Sequence, residues 1–255
     1  MDIVLWTALG VGGATLVGAA IGFAFKNLSH KFSDIVLAFA AGVMLAAAVL
    51  GLIVPSVEYG MDYGVGIALV MTVAGIFVGA MCLNGVDRLV PHMHAPDGCP
   101  ECRRKNDDKM NKVLLFVLAI AIHNLPEGIA AGVGFGAGNT VEAFLIAGGI
   151  ALQNIPEGMV IIAPMLAAGI SPKRTFLYAA LTGVVEVVGT LIGYFAVSIS
   201  TAILPFALAF AGGTMLYVIS DEMIPETHAH GSERGATYSL LIGFCLMLVF
   251  DVLLG

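Results

Sequence analysis

The hexapeptide His123-Asn124-Leu125-Pro126-Glu127-Gly128 returns 30 residues later as Gln153-Asn154-Ile155-Pro156-Glu157-Gly158. On an α-helix, positions four apart share one face about 6 Å apart along the axis. His123 is therefore paired with Glu127, and Gln153 with Glu157, while Asn124 and Asn154 flank that face three residues before each glutamate. Pro126 and Pro156 remove the amides that would bond the carbonyls of Ile122 and Leu152, freeing those oxygens to turn toward an ion or water. Glu186, in Val184-Val185-Glu186-Val187-Val188, adds a third carboxylate at similar depth. One imidazole, two or three carboxylates and several amide oxygens form a mixed nitrogen and oxygen set. Such a set suits Zn²⁺, and also Fe²⁺, Mn²⁺ or Cd²⁺; no thiol or thioether pair in the spans points to Cu⁺.

The elements that must position these groups are membrane helices. Of 255 residues, 59% are hydrophobic and 11% charged, with mean hydropathy +0.97. That composition excludes a water-soluble domain of this size and reads as an all-α polytopic membrane protein in a lipid bilayer. Eight apolar segments of membrane length are expected, at about 3–25, 34–56, 64–86, 113–136, 141–168, 174–198, 203–225 and 235–254. The first follows Asp2 rather than basic residues and is too long for a secretory h-region, so it reads as a retained helix. Both hexapeptides fall at the centres of their segments, where a charged side chain costs roughly 2.5–3.5 kcal/mol. Three uncompensated carboxylates would cost on the order of 8–10 kcal/mol if those values added. A divalent cation, protonation or entering water must relieve that cost. The arithmetic favours cations over anions or sugars, and no nucleic-acid partner is expected.

All 11 basic residues lie in alternate loops: Lys26 and Lys31; Arg88, Arg103, Arg104, Lys105, Lys109 and Lys112; Lys173 and Arg174; Arg234. Glu58, Asp62 and Glu142 occupy the others. By the positive-inside rule both termini face outward, and the alternation itself supports eight spans. One transmembrane domain covers 1–255, with a cytosolic loop at about 87–112.

Span 2 carries Ala38-Phe39-Ala40-Ala41-Gly42-Val43-Met44-Leu45 and ends near Pro55; span 7 carries Ala209-Phe210-Ala211-Gly212-Gly213-Thr214-Met215-Leu216 and ends near Pro225. The charge rule runs these two in opposite directions, as it does spans 4 and 5. The simplest arrangement is three helices, a central antiparallel pair, and three more related to the first set by inversion. Inverted repeats with a midplane site on interrupted helices characterise secondary transporters. Gly18/Gly22, Gly75/Gly79, Gly132/Gly136 and Gly189/Gly193 are small-xxx-small pairs that let helix backbones approach closely.

Peripheral groups offer further metal ligands. Asp87, Asp221 and Glu222, near the cytosolic ends of spans 3 and 7, are placed to receive an ion leaving the midplane. An acidic pair at the membrane surface is the plainer reading. His92, His94, Cys99 and Cys102 share the 87–112 loop, with Cys-x-x-Cys spacing that fits a tetrahedral Zn²⁺; incidental cysteines in a surface loop are the rival. His228 and His230 form a weaker pair in the last inner loop. Cys82 and Cys245 read as packing residues, and so do Met44 and Met215 at equivalent repeat positions.

These motifs resemble the ZIP (Zrt/Irt-like) family of divalent metal transporters, most closely its bacterial GufA-like branch. The resemblance covers essentially the whole chain and rests on the paired Pro-Glu-Gly motifs, the span count and the histidine-bearing loop. It implies a three-two-three inverted-repeat bundle in the bacterial inner membrane, importing metal to the cytosol, often as a dimer. It maps a first metal site onto His123, Glu127, Gln153 and Glu157. A second maps onto Asn124, Asn154 and Glu186, sharing Glu127, Gln153 and Glu157. It also implies that spans 1, 4, 5 and 6 move against 2, 3, 7 and 8. Many relatives carry His at the place of Gln153, and some bacterial members carry Asp at the place of Asn154, so a binuclear centre is in question. Two other classes stand as rivals. An intramembrane metalloenzyme would need an open coordination position and a base, yet nothing resembles His-Glu-x-x-His. A proton- or sodium-coupled solute carrier would need an aromatic or basic pocket.

Overall fold

The computed structural model describes residues 2–24, 29–89, 107–136, 138, 140–167 and 169–254, and its elements among these are all helical. Lipid offers no partner to backbone amides, and a helix satisfies them within one segment. In chain order the helices are α1 (Asp2–Ala24), α2 (His30–Ala46), α3 (Val54–Gly60), α4 (Val65–Leu89) and α5 (Asp107–Gly136). They continue as α6 (Thr140–Ala167), α7 (Pro172–Ile199), α8 (Leu204–Val218), α9 (Ile224–Thr227) and α10 (Glu233–Leu254). Local sequence sets several starts. Ser29 caps α2, its Oγ accepting from the Phe32 amide at 3.2 Å. Pro172 and Pro205 occupy first turns, where a missing N–H leaves no carbonyl unpaired.

Among the described residues, seven helical stretches are long and apolar enough to cross a membrane. α5, 30 residues long, is a continuous helix but not one of those seven. The helices fall within a few residues of the expected spans, with two differences. Spans 2 and 7 are not uniform α-helices: π-helical turns at Ala47–Ile53 and Ile219–Met223 join α2 to α3 and α8 to α9. Each lies just before a proline, Pro55 or Pro225, whose ring and missing donor disturb the preceding turn, and a wider turn absorbs that mismatch. The 87–112 loop is also shorter than expected, because α4 runs to Leu89 and α5 begins at Asp107. His92, His94, Cys99 and Cys102 lie outside the described residues.

Packing divides the helices into two groups. α1, α5, α6 and α7 contact one another, most extensively α5 with α7 and α1 with α6. α2, α3, α4, α8 and α10 form the second, led by α4 with α8 and α2 with α10. α6 meets α2, and α5 meets α8, across the boundary. Met44 and Met215 are fully buried in the main apolar core, as packing residues should be. Cys82 and Cys245 are instead exposed on α4 and α10. Those helices turn large apolar side chains outward, such as Val70, Phe77, Ile242 and Val252. A thiol behaves as a small hydrophobe and is at home on that face.

Candidate metal site at the centre of the bundle

The two hexapeptides sit on α5 and α6, both of which continue as helices through Pro126 and Pro156. What locks them in place is the last residue of each. A Cβ on Gly128 would come closer than 3.0 Å to the carbonyl oxygen of Glu186 in α7. One on Gly158 would do the same to the carbonyl of Thr15 in α1. The contacts are reciprocated: Gly189 of α7 lies against the Leu125 carbonyl, and Gly18 of α1 against that of Ile155. Copy one is thus seated on α7 and copy two on α1 by backbone-to-backbone approach that only glycine permits.

This seating buries the motif side chains. Asn124, Glu127, Gln153, Asn154 and Glu186 are all buried, and Glu157 is half-buried. Glu186 is fully satisfied. Its Oε1 accepts from Asn124 Nδ2 and from Thr15 Oγ1 at 3.0 Å, and its Oε2 accepts from Asn154 Nδ2 at 2.8 Å. Asn154 Nδ2 also reaches the Val11 carbonyl at 3.3 Å, and Thr190 Oγ1 donates to the Glu186 carbonyl at 2.9 Å.

Because both asparagines donate to Glu186, their oxygens point elsewhere. Asn124 Oδ1, Asn154 Oδ1, both oxygens of Glu127 and both amide atoms of Gln153 have no protein partner. Glu127 shares this space with the Glu157 and Glu186 carboxylates, and the Gln153 amide lies beside it without hydrogen-bond geometry. A buried polar group left unpaired costs about 1–3 kcal/mol, and a charged one more. Five orphaned oxygens, two of them the Glu127 carboxylate's own and three from amides, far from any Lys or Arg in sequence, make an acceptor-rich set that suits a cation. Among the described residues no three His, Cys, Asp or Glu side chains form a metal-binding group by themselves. His123 lies on α5 one turn before Glu127; its side chain is outside the description.

Residues 103–251 match the family model described as ZIP zinc transporter. Over 253 residues the chain is 42% identical to the protein named zinc transporter GufA of Myxococcus xanthus, with 98% of each chain covered. It belongs to the ZIP family. Other relatives agree with this ZIP assignment. Zinc transporter ZIPB of Bordetella bronchiseptica is 38% identical over 246 residues, covering 95% of this chain and 78% of that one. Zinc transporter ZupT of Chlorobium chlorochromatii is 32% identical over 249 residues, covering 93% and 92%. The ZIP chain is a multi-pass integral membrane protein.

The remaining sequence candidates are dispersed. Asp221 is exposed and Glu222 half-buried on the π-helical turn after α8, and Asp87 lies on the last turn of α4 with its side chain outside the description. His228 has both ring nitrogens engaged, Nδ1 with the Ile224 carbonyl at 2.8 Å and Nε2 with Thr237 Oγ1 at 3.4 Å. It closes the end of α9, whereas His230 turns toward Asp34 of α2. Thr15 is the site residue that motif reading missed. Its signal lay in a repeat: Gly12, Thr15, Gly18 and Gly22 recur as Gly183, Glu186, Gly189 and Gly193.

Proposed function

We propose that this protein imports divalent transition-metal ions, zinc foremost, into the cytoplasm by alternating access, through one midplane site on α5 and α6. The observation that carries the reading is the set of buried, unpartnered oxygens of Glu127, Gln153, Asn124 and Asn154. The names of the relatives, all zinc transporters, favour zinc among the metals that such donors accept. A hydrated ion entering from outside exchanges its water for these oxygens together with His123 and Glu157. One doubly charged ion balances the charges of Glu127 and Glu157.

Eight crossings are part of this reading, α5 being the fourth. Its 30 residues rise about 45 Å, more than a bilayer core needs. Confinement of the basic residues to alternate loops supports outward termini. The packing supports the three-two-three inverted repeat. α5 on α7 mirrors α6 on α1, α4 on α8 mirrors α10 on α2, and the two π-helical turns occupy matched places. The two packing groups are the bodies that move relative to each other, with α5 and α6 carrying the ion in the first.

We assign a single ion. Glu186 spends its carboxylate on Thr15, Asn124 and Asn154, so it is a strut that aims the asparagine oxygens rather than a ligand. Thr15→Val removes one hydrogen bond to a charged group, worth about 1.5–3 kcal/mol. We expect a lower melting temperature and reduced flux, with equilibrium binding at the midplane still saturating at one ion. A parent that binds two midplane ions, one of them lost in Glu186→Gln, contradicts the assignment. The overall function is tested by radiozinc flux into proteoliposomes with competing cadmium, iron and manganese. Accumulation above that of empty liposomes is expected; equality with empty liposomes contradicts it.

A further inference from the structure

Away from the midplane, His30 and Asp34 stand four apart on one face of α2, and the turn between α9 and α10 lays His230 against them. Asp34 is 3% exposed, an uncommon state for an acid at a helix start. Its Oδ1 accepts from His230 Nδ1 at 3.0 Å, and its Oδ2 is buried with no partner. The His30 and His230 rings stack, with centroids 4.8 Å apart and planes at 25°. Gly231, at φ 80°, takes the left-handed turn that brings His230 back over α2.

We propose that this cluster is a second, surface binding site for a divalent transition-metal ion, with His230 and His30 as ligands and Asp34 as the carboxylate behind them. Histidines that bind metal commonly donate their other ring N–H to a carboxylate, which fixes the tautomer and raises basicity. Asp34 does this to His230: it holds the proton on Nδ1 and leaves the Nε2 lone pair for an ion. His30 is exposed; its ring lies stacked on His230 and the trio is not yet a coordinating group, so binding requires the His30 ring to turn toward the same ion. Borderline-soft cations that favour imidazole fit best, Zn²⁺ above Mg²⁺ or Ca²⁺. The unpaired Asp34 oxygen adds negative charge and offsets the positive end of the α2 dipole, which would otherwise repel a cation. Two imidazoles completed by water make a weak, exchangeable site.

The orientation proposed above puts this cluster on the cytosolic face, where it samples ions already delivered. Its existence does not depend on the transport reading. The test is equilibrium binding of ⁶⁵Zn²⁺ to the purified full chain, in a Glu127→Gln background so that the midplane site does not dominate. His30→Ala with His230→Ala is expected to remove one equivalent. Asp34→Asn is expected to retain that equivalent with affinity lowered about 10- to 100-fold, as for other partners behind metal-bound histidines. Melting curves without metal report folding separately. An unchanged isotherm in both variants overturns the site, and so does a fall in melting temperature with unchanged binding, which makes the cluster a structural clasp. Flux in wild-type liposomes reports on the transport reading independently.

Discussion

Glu127→Gln is expected to abolish measurable zinc flux while leaving the protein folded, with a melting temperature in chelator no lower than that of the parent. Both outcomes follow from the same geometry. The Glu127 carboxylate is buried, and neither oxygen has a protein donor. In the empty protein the charge is a liability, because burying it unpaired costs more than burying a neutral amide. With a divalent ion present the charge becomes the main attraction. Removing one partner of a buried ion pair costs about 3–5 kcal/mol. At 1.4 kcal/mol per tenfold, that is a loss of about 100-fold or more in affinity. Zinc should raise the melting temperature of the parent and not of the variant, since a ligand that binds only the folded state stabilises by mass action. Glu127→Gln retaining flux within about twofold would remove this residue from the ion path.

Gly128→Ala has an equally large expected effect for a different reason. The added methyl would meet the Glu186 carbonyl oxygen and nearby backbone of α7, neither of which can rotate away. α5 and α7 must separate, and overpacking of this kind typically costs about 1–3 kcal/mol. Separation withdraws Asn124 from Glu186, so the Asn124 oxygen loses its aim and flux falls with stability. Gly158→Ala against the Thr15 carbonyl should behave alike. Gly13→Ala and Gly148→Ala are the controls: a Cβ at either meets nothing within 4 Å, and alanine is a better helix former than glycine. Thermal melts and flux on the four variants separate the pairs. Equal behaviour of Gly128→Ala and Gly13→Ala would show that close α5–α7 approach is unimportant.

Much of this was legible in the sequence because lipid enforces simple rules. Membrane-length apolar runs gave the helices to within a few residues, and the repeated Asn-x-Pro-Glu-Gly marked the pair on which the proposed site lies. The midplane acids stood out because the other charges in the spans, such as Asp34, Arg174 and Asp251, lie near span ends. What was not legible depends on contacts between distant helices. The tripling of donors on Glu186 needs α1, α5, α6 and α7 together, and Thr15 looked like any small residue in an Ala/Gly-rich helix. The role of the glycines that close the two motifs is set by carbonyls on α7 and α1. Pro55 and Pro225 marked helix ends by sequence, whereas neighbouring packing lets the chain continue past them through wider π-helical turns. His30 and Asp34 carried no motif and gained meaning only when the α9–α10 turn brought His230 over α2.

The most direct test is an anomalous-scattering map from crystals soaked in Zn²⁺ or Cd²⁺, collected at the metal edge. We predict one peak between α5 and α6, within coordinating distance of Glu127 and the Asn124 and Asn154 side-chain oxygens, and none on Glu186. A fully soaked crystal with strong peaks elsewhere and no density between those two helices would contradict the claim that the orphaned oxygens at the centre of the bundle hold the transported ion.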